Sequence, residues 1–284
     1  MIGELGLEAT SLDKLIFIMT RTLEICVDSI TSALEAYQGG AVRLELCHEL
    51  SVGGLTPSTG LMKAVKKFVP MPVHVLIRPR SGDFQYNSAE VWQMVEEVKT
   101  AVSLEMDGIV IGALDENRQV DKNVCQHLIA NAFGLPVTFH RAFDLTADPE
   151  RALEDIIQLG CSRILTSGQQ VSAYKGKDKI RELVEKAGSR IIIMPGAGIT
   201  LTNLPAIAES TKAKEFHSSA RLLVPSSHPP EAAVVEGTGH KSVTSSSVVR
   251  NMVTILKQMD AVDTANLLLP YITGAKQNAE KVTS

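Results

Sequence analysis

Eight short runs rich in Val, Ile and Leu recur along the chain, at 22–27, 42–47, 73–78, 108–112, 136–141, 163–167, 190–195 and 214–218, with seven longer segments of helical character between them. Strands that alternate with helices predict a parallel sheet, because a parallel neighbour needs a crossover long enough to hold a helix. The helices carry their own signals. Over 88–104, Val91, Met94, Val95, Val98 and Val102 recur at spacings of three and four behind a cap expected at Ser88, and Asp148 before Pro149 reads as an N-cap with proline in the first turn. Eight such units can close into a barrel or open into a doubly wound sheet. No Gly-x-Gly-x-x-Gly follows the first strand, whereas glycines gather in "MPGAGI" after the seventh and "FHSSAR" follows from the eighth. Barrels commonly hold phosphate on backbone amides at those two loops. The prediction is an α/β fold, a (β/α)8 TIM barrel in one domain over 21–260, a span that suits the typical ~250 residues.

Three stretches fall outside that rhythm. Residues 1–20 read as an N-terminal extension packing on the body or on another subunit; their apolar run "LIFIM" is too short to span a bilayer and too poorly flanked for a signal peptide. Residues 222–247, rich in Pro, Ser and Gly, read as a flexible excursion, with His228 and His240 solvated in it. A last helix is expected over 247–259, with Val249, Met252, Val253 and Leu256 on one face, followed by a polar tail over 261–284 that frays after Pro270.

The net charge of −4, with 28 basic residues scattered along the chain, gives no reason to expect nucleic acid, and no segment calls for a membrane. Four cysteines without a Cys-x-x-Cys pair read as reduced thiols of a cytoplasmic protein, a nuclear location being compatible, rather than as a disulfide framework.

In a barrel, the chemistry collects at the carboxyl ends of the strands. Strand one brings Glu24, Cys26 and Asp28 to one parity, and strand two Arg43, Glu45 and Cys47. Strand three ends in Arg78 and Arg80; strand five gives His140, Arg141 and Asp144; strand six Ser167; strand seven Gly196 and Gly198; strand eight His217 and Ser218. Such a ring is either a binding pocket or a self-satisfied ion network, and the arginines at its rim fit an anion.

The ordered segments "EICVDSITSALEAYQGGAVRLELC", "GGLTPS", "VLIRPRSGDF", "PVTFHRAFD", "RILTSG", "MPGAGIT" and "EFHSSAR" resemble the CutC family of copper-homeostasis proteins over about residues 22–221. The resemblance implies a TIM barrel, cytoplasmic copper handling, self-association into a homo-oligomer, and copper ligands at Cys26 and Cys47. The residues support a thiol site on their own terms, since soft thiolates suit Cu(I) and these two share a parity on neighbouring strands. His48 adjoins Cys47 but should point to the opposite face, and Cys125 and Cys161 read as small buried hydrophobes.

Two other readings stand beside copper. One is a barrel enzyme acting on a small anionic or phosphorylated metabolite, with Arg78, Arg80, Arg141, Ser167, Gly196, Gly198 and Ser218 binding and His140, Asp144 or His217 as catalytic candidates; Glu24, Asp28 and Glu45 could hold a divalent cation with His140. The other is a scaffold working through subunit interfaces, for which the low aromatic content supplies few anchors.

Overall fold

The computed structural model describes residues 20–225 and 240–282. The extension expected over 1–20 therefore lies, but for its last residue, outside the described residues, as does His228. Eight parallel strands, β1 (Thr22–Val27), β2 (Arg43–Leu46), β3 (Val73–Leu76), β4 (Gly108–Ile111), β5 (Val137–Phe139), β6 (Arg163–Thr166), β7 (Ile192–Pro195) and β8 (Glu215–Ser218), alternate with helices. The helices are α1 (Ile30–Gly39), α2 (Thr59–Phe68), α3 (Ser88–Ser103), α4 (Lys122–Ala130), α5 (Pro149–Gln158), α6 (Lys177–Ala187), α7 (Leu204–Thr211) and α8 (Ser246–Val282). The strand order β7-β6-β5-β4-β3-β2-β1-β8 joins the first strand to the last, with β1 and β8 in register from Thr22↔Glu215 to Ile25↔Ser218. The sheet thus curls into a nearly closed (β/α)8 barrel, as the alternation predicts, and its seam lies between β7 and β8.

Each strand has one face for the helices. Leu23, Ile25 and Val27 of β1, Leu44 and Leu46 of β2, and Val73 and Val75 of β3 join one apolar core with the helix faces. In α3 the buried stripe is Met94, Val95, Val98 and Ala101, so Ala101 rather than Val102 completes it. The cap of that helix is Asn87, not Ser88. Asn87 Oδ1 accepts from the amides of Ala89 and Glu90 at 2.9 and 3.0 Å, and Glu90 Oε2 answers from Asn87 N–H at 2.9 Å. A capping box needs its acid three residues after the cap, which selects Asn87. Asp148 caps α5 as expected, accepting from Glu150 and Arg151 at 3.0 Å ahead of Pro149.

The stretch read as an excursion is ordered at both ends. β9 (Arg221–Pro225) and β10 (His240–Thr244) form an antiparallel ribbon, in register from Arg221↔Thr244 to Pro225↔His240; residues 226–239 lie outside the described residues. His240 is exposed. The final helix also outruns its expected end, continuing to Val282, and Arg21 at the foot of the barrel grips it through Asp260 at 2.7 Å and Asp263 at 2.6 Å. Val249, Met252 and Leu256 are buried against the barrel. Among the described residues, no helix is long and apolar enough to cross a membrane.

Candidate functional site

Alternation sends every second strand residue into the barrel, and most of those residues are polar. At the amino ends of the strands, Arg43 Nη2 and Arg163 Nε both donate to Glu215 Oε2 at 2.6 Å. Arg43 Nε donates to Glu24 as well. One layer up, Glu24 Oε1 lies 2.7 Å from His217 Nδ1. Glu45 joins them, with ligand-type atoms of Glu24, Glu45 and His217 all within 4.8 Å of one another.

The charges sort themselves by neighbour. Burial would raise Glu24, but the hydrogen bond from His217 and the charge of Arg43 outweigh it and hold this carboxyl far below the usual range. Burial would also discharge His217; Cys26, Glu45 and Glu24 around the ring outweigh it and keep the imidazole protonated well above its ordinary range. Glu45 goes the other way, pushed up to about 7 by burial, and its Oε2 has no partner. His74 of β3 is pulled down to about 4, chiefly by burial. Room for two imidazoles comes from β4 and the residue after it: a Cβ on Gly108 would sit 2.5 Å from His74 Nε2, and one on Gly112 would overlap the ring of His140.

The two thiols stand differently. Cys26 opens on both of the cavities described below and hydrogen-bonds His217. Cys47 is sealed among Leu76, Val110 and Leu50, its Sγ donating to Val27 O at 3.5 Å. Burial, with Cys26 and Glu45 nearby, drives that thiol far up. Both are free, as are Cys125 and Cys161, which are buried in the helix-facing core as expected. His48 is exposed beside Glu49 and turned out of the barrel.

A cavity of about 310 Å³ sits at the carboxyl end of the barrel, walled by Cys26, Glu45, Arg78, His140, Arg141 and Asp144 among others. His140 Nδ1 accepts from Ala142 N–H at 3.1 Å, so its proton resides on Nε2, which has no partner. Burial and the cation of Arg78 pull this imidazole down to about 3. Its ring lies 4.8 Å from that of Phe84, and the Arg78 guanidinium lies over the Phe84 ring, 5.0 Å from its centre.

Several expected site residues are occupied with the protein itself. Arg78 donates to the carbonyls of Val52, Gly54 and Gly82 at 2.9–3.0 Å. Asp144 accepts from Thr166 Oγ1, Ser167 N–H and hydroxyl, Gln169 N–H and Arg141 at 2.5–3.1 Å, which leaves little of it for proton transfer. Ser167 is the counterpart of that clamp, and Ser218 Oγ is spent on Ile199 O at 2.8 Å. Arg80 lines neither cavity; it pairs with Glu90 and Asp83 on the outer surface. Asp28 is paired with Arg221 at 2.9 Å, so the carboxylates that meet a histidine are Glu24 and Glu45 with His217, not Asp28 with His140.

Gly198, Ser218 and Ser219 line a second, larger cavity of about 720 Å³ against β7, β8 and the ribbon, and it shares Cys26, His217, Arg141 and Leu50 with the first. Gly196 faces β8, where a Cβ would come within 3.4 Å of His217 Cβ. Phe84, Gly108 and Gly112 escape a search for chemical groups, although glycines at inward strand positions signal bulky inward neighbours.

With that site defined, relatives can be compared. The family model described as CutC family matches residues 21–222. The chain belongs to the CutC family. A family protein CutC from Xanthomonas campestris pv. campestris (strain 8004) is 48% identical over 236 residues, covering 83% of this chain and 98% of its own. The human copper homeostasis protein cutC homolog is 50% identical over 199 residues, 70% of this chain and 73% of its own. The crystal structure of CutC from Streptococcus agalactiae superposes with a TM-score of 0.68 at 35% identity, over 70% of this chain and 98% of that one. The CutC fold is shared more widely: thiamine phosphate pyrophosphorylase from Pyrococcus furiosus aligns with a TM-score of 0.53 at 13% identity, a likeness of fold alone.

Proposed function

We propose that this chain serves copper homeostasis by holding Cu(I) on Cys26 and Cys47 in a reducing, cytosolic compartment. The observation that carries this reading is the position of Cys26, a free thiol that faces both cavities, with Cys47 one residue beyond β2 and two on from Glu45, the partner of Cys26 across the strands. A soft ion favours thiolates and accepts low coordination, so two sulfurs suffice. Binding would displace the thiol protons, including the one Cys47 gives to Val27 O. Two thiolates around Cu(I) leave one net negative charge, and the protonated His217 against Cys26 is placed to balance it. The copper homeostasis in the name of the human relative supports the same reading. Self-association fits the exposed Trp92 on α3, 67% accessible in the single chain.

Anaerobic titration of reduced protein with Cu(I) against a competing chelator tests the reading. Tight stoichiometric binding that disappears in the folded Cys26→Ser, Cys47→Ser double variant is expected. Equal binding by both proteins removes copper from these sulfurs.

A further inference from the structure

The smaller cavity is lined by three residues with a buried polar atom that lacks a partner, Glu45 (Oε2), Arg78 (Nε) and His140 (Nε2), and Glu45 and His140 belong to different walls. On the β5 side is His140 Nε2, a donor by virtue of the Ala142 amide bonded to Nδ1. On the β2 side is Glu45 Oε2. Both residues are more than nine-tenths buried, both line the cavity, and both atoms lack a partner. Strands β3 and β4 separate them around the ring. Native interiors rarely leave such atoms unpaired unless water, an ion or a ligand supplies the missing bonds, and a cavity beside two of them has room for a ligand.

The surroundings select the ligand. The His140 wall also carries Arg78, whose guanidinium is bonded to carbonyls and so keeps its charge unneutralised, and Arg141, which is paired with Asp144. An anionic acceptor belongs there. The Glu45 wall needs a hydrogen-bond donor for a carboxyl oxygen, which a hydroxyl provides. A cavity near 310 Å³ is at the small end for ligand sites. We infer that the barrel mouth binds a small hydroxycarboxylate, its carboxylate toward His140, Arg78 and Arg141 and a hydroxyl toward Glu45. None of these contacts is to a sulfur, and Cys26 lines the same cavity.

Calorimetric titration of metal-free, reduced protein distinguishes the possibilities. The probes are lactate, glycerate, malate and gluconate, with propionate and succinate as partners lacking the hydroxyl, and inorganic phosphate and glycerol phosphate as the other anion source. Saturable binding of at least one hydroxycarboxylate is expected, weaker by about tenfold in its deoxy partner and in Glu45→Gln. His140→Phe, which keeps a ring against Phe84 but no donor, is expected to lose about as much. His140→Leu, which also lacks a donor, serves if that variant does not fold, and Arg80→Gln, at a side chain that lines neither cavity and pairs with Glu90, should leave the affinity within about twofold. No saturable binding by any hydroxycarboxylate, a preference for the phosphates, or affinity unchanged in both the Glu45 and His140 variants would overturn the inference.

Discussion

On the outward face of β1, Leu23, Ile25 and Val27 are at most 1% exposed and join the apolar core; on the inward face of the same strand, Glu24 at 2% and Cys26 at 6% are almost as deeply buried. Depth is the same and the energetics are opposite. Each outward aliphatic contributes about 1.5–3 kcal/mol by leaving water. Each inward charge loses hydration worth several kcal/mol and recovers it only through its partners. The outward face therefore stabilises the barrel, and the inward face is held in place by it. The small apolar cluster of Cys47, Leu76 and Val110 also lies inside, at the thiol site.

This contrast can be broken most forcefully at Glu24. Glu24→Leu takes the carboxylate from the buried His217 and leaves Arg43 with Glu215 alone, and should cost about 3–5 kcal/mol in urea unfolding. Glu45→Leu, on the neighbouring strand, removes a carboxyl with an unpartnered oxygen, and should leave stability unchanged or raise it by about 1 kcal/mol. Equal losses in the two variants would mean that inner residues are held by packing, not by pairing.

Acid sharpens the same point. His140 sits at about 3 in the folded chain against an ordinary value of 6.5. Between those values the unfolded chain binds a proton that the folded chain refuses, so stability falls as pH drops from 6.5; His74, at about 4, acts in the same direction. Replacing His140 by Gln should make the acid-side slope shallower by about 1.4 kcal/mol per pH unit. Unfolding free energies measured at several pH values through this window read that slope directly, and an unaltered slope would show that His140 is free to protonate. The smallest effect is expected outside the barrel. Arg80→Gln breaks partly exposed pairs with Glu90 and Asp83 and should change stability by less than about 1 kcal/mol, with Cu(I) binding untouched.

Strand rhythm and parity made the barrel legible, and parity also put Glu24, Cys26, Glu45 and Cys47 on the inward face. It could not say which group each would meet. Arg78, Arg80 and Asp144 read as equals of His140 in the sequence; carbonyls absorb Arg78 and backbone amides Asp144, largely from loops more than twenty residues away, while Arg80 turns outward to the nearby Asp83 and Glu90. Ser88 and Asn87 differ by one residue, and only the reach of Glu90 decides between them. The ribbon of β9 and β10 was hidden because its pairing spans a Pro- and Ser-rich stretch that resembles irregular chain.

The three carbonyls held by Arg78 come from two loops, Val52 and Gly54 after β2 and Gly82 after β3. One side chain thus ties those loops into a single wall, and neither can swing away without releasing a buried cation. Cys26 stays open on the smaller cavity beside that wall and on the larger one along β7, β8 and the ribbon. The tie thus sets the shape of one approach to the thiol, and Arg221 and Gly198 bound the other.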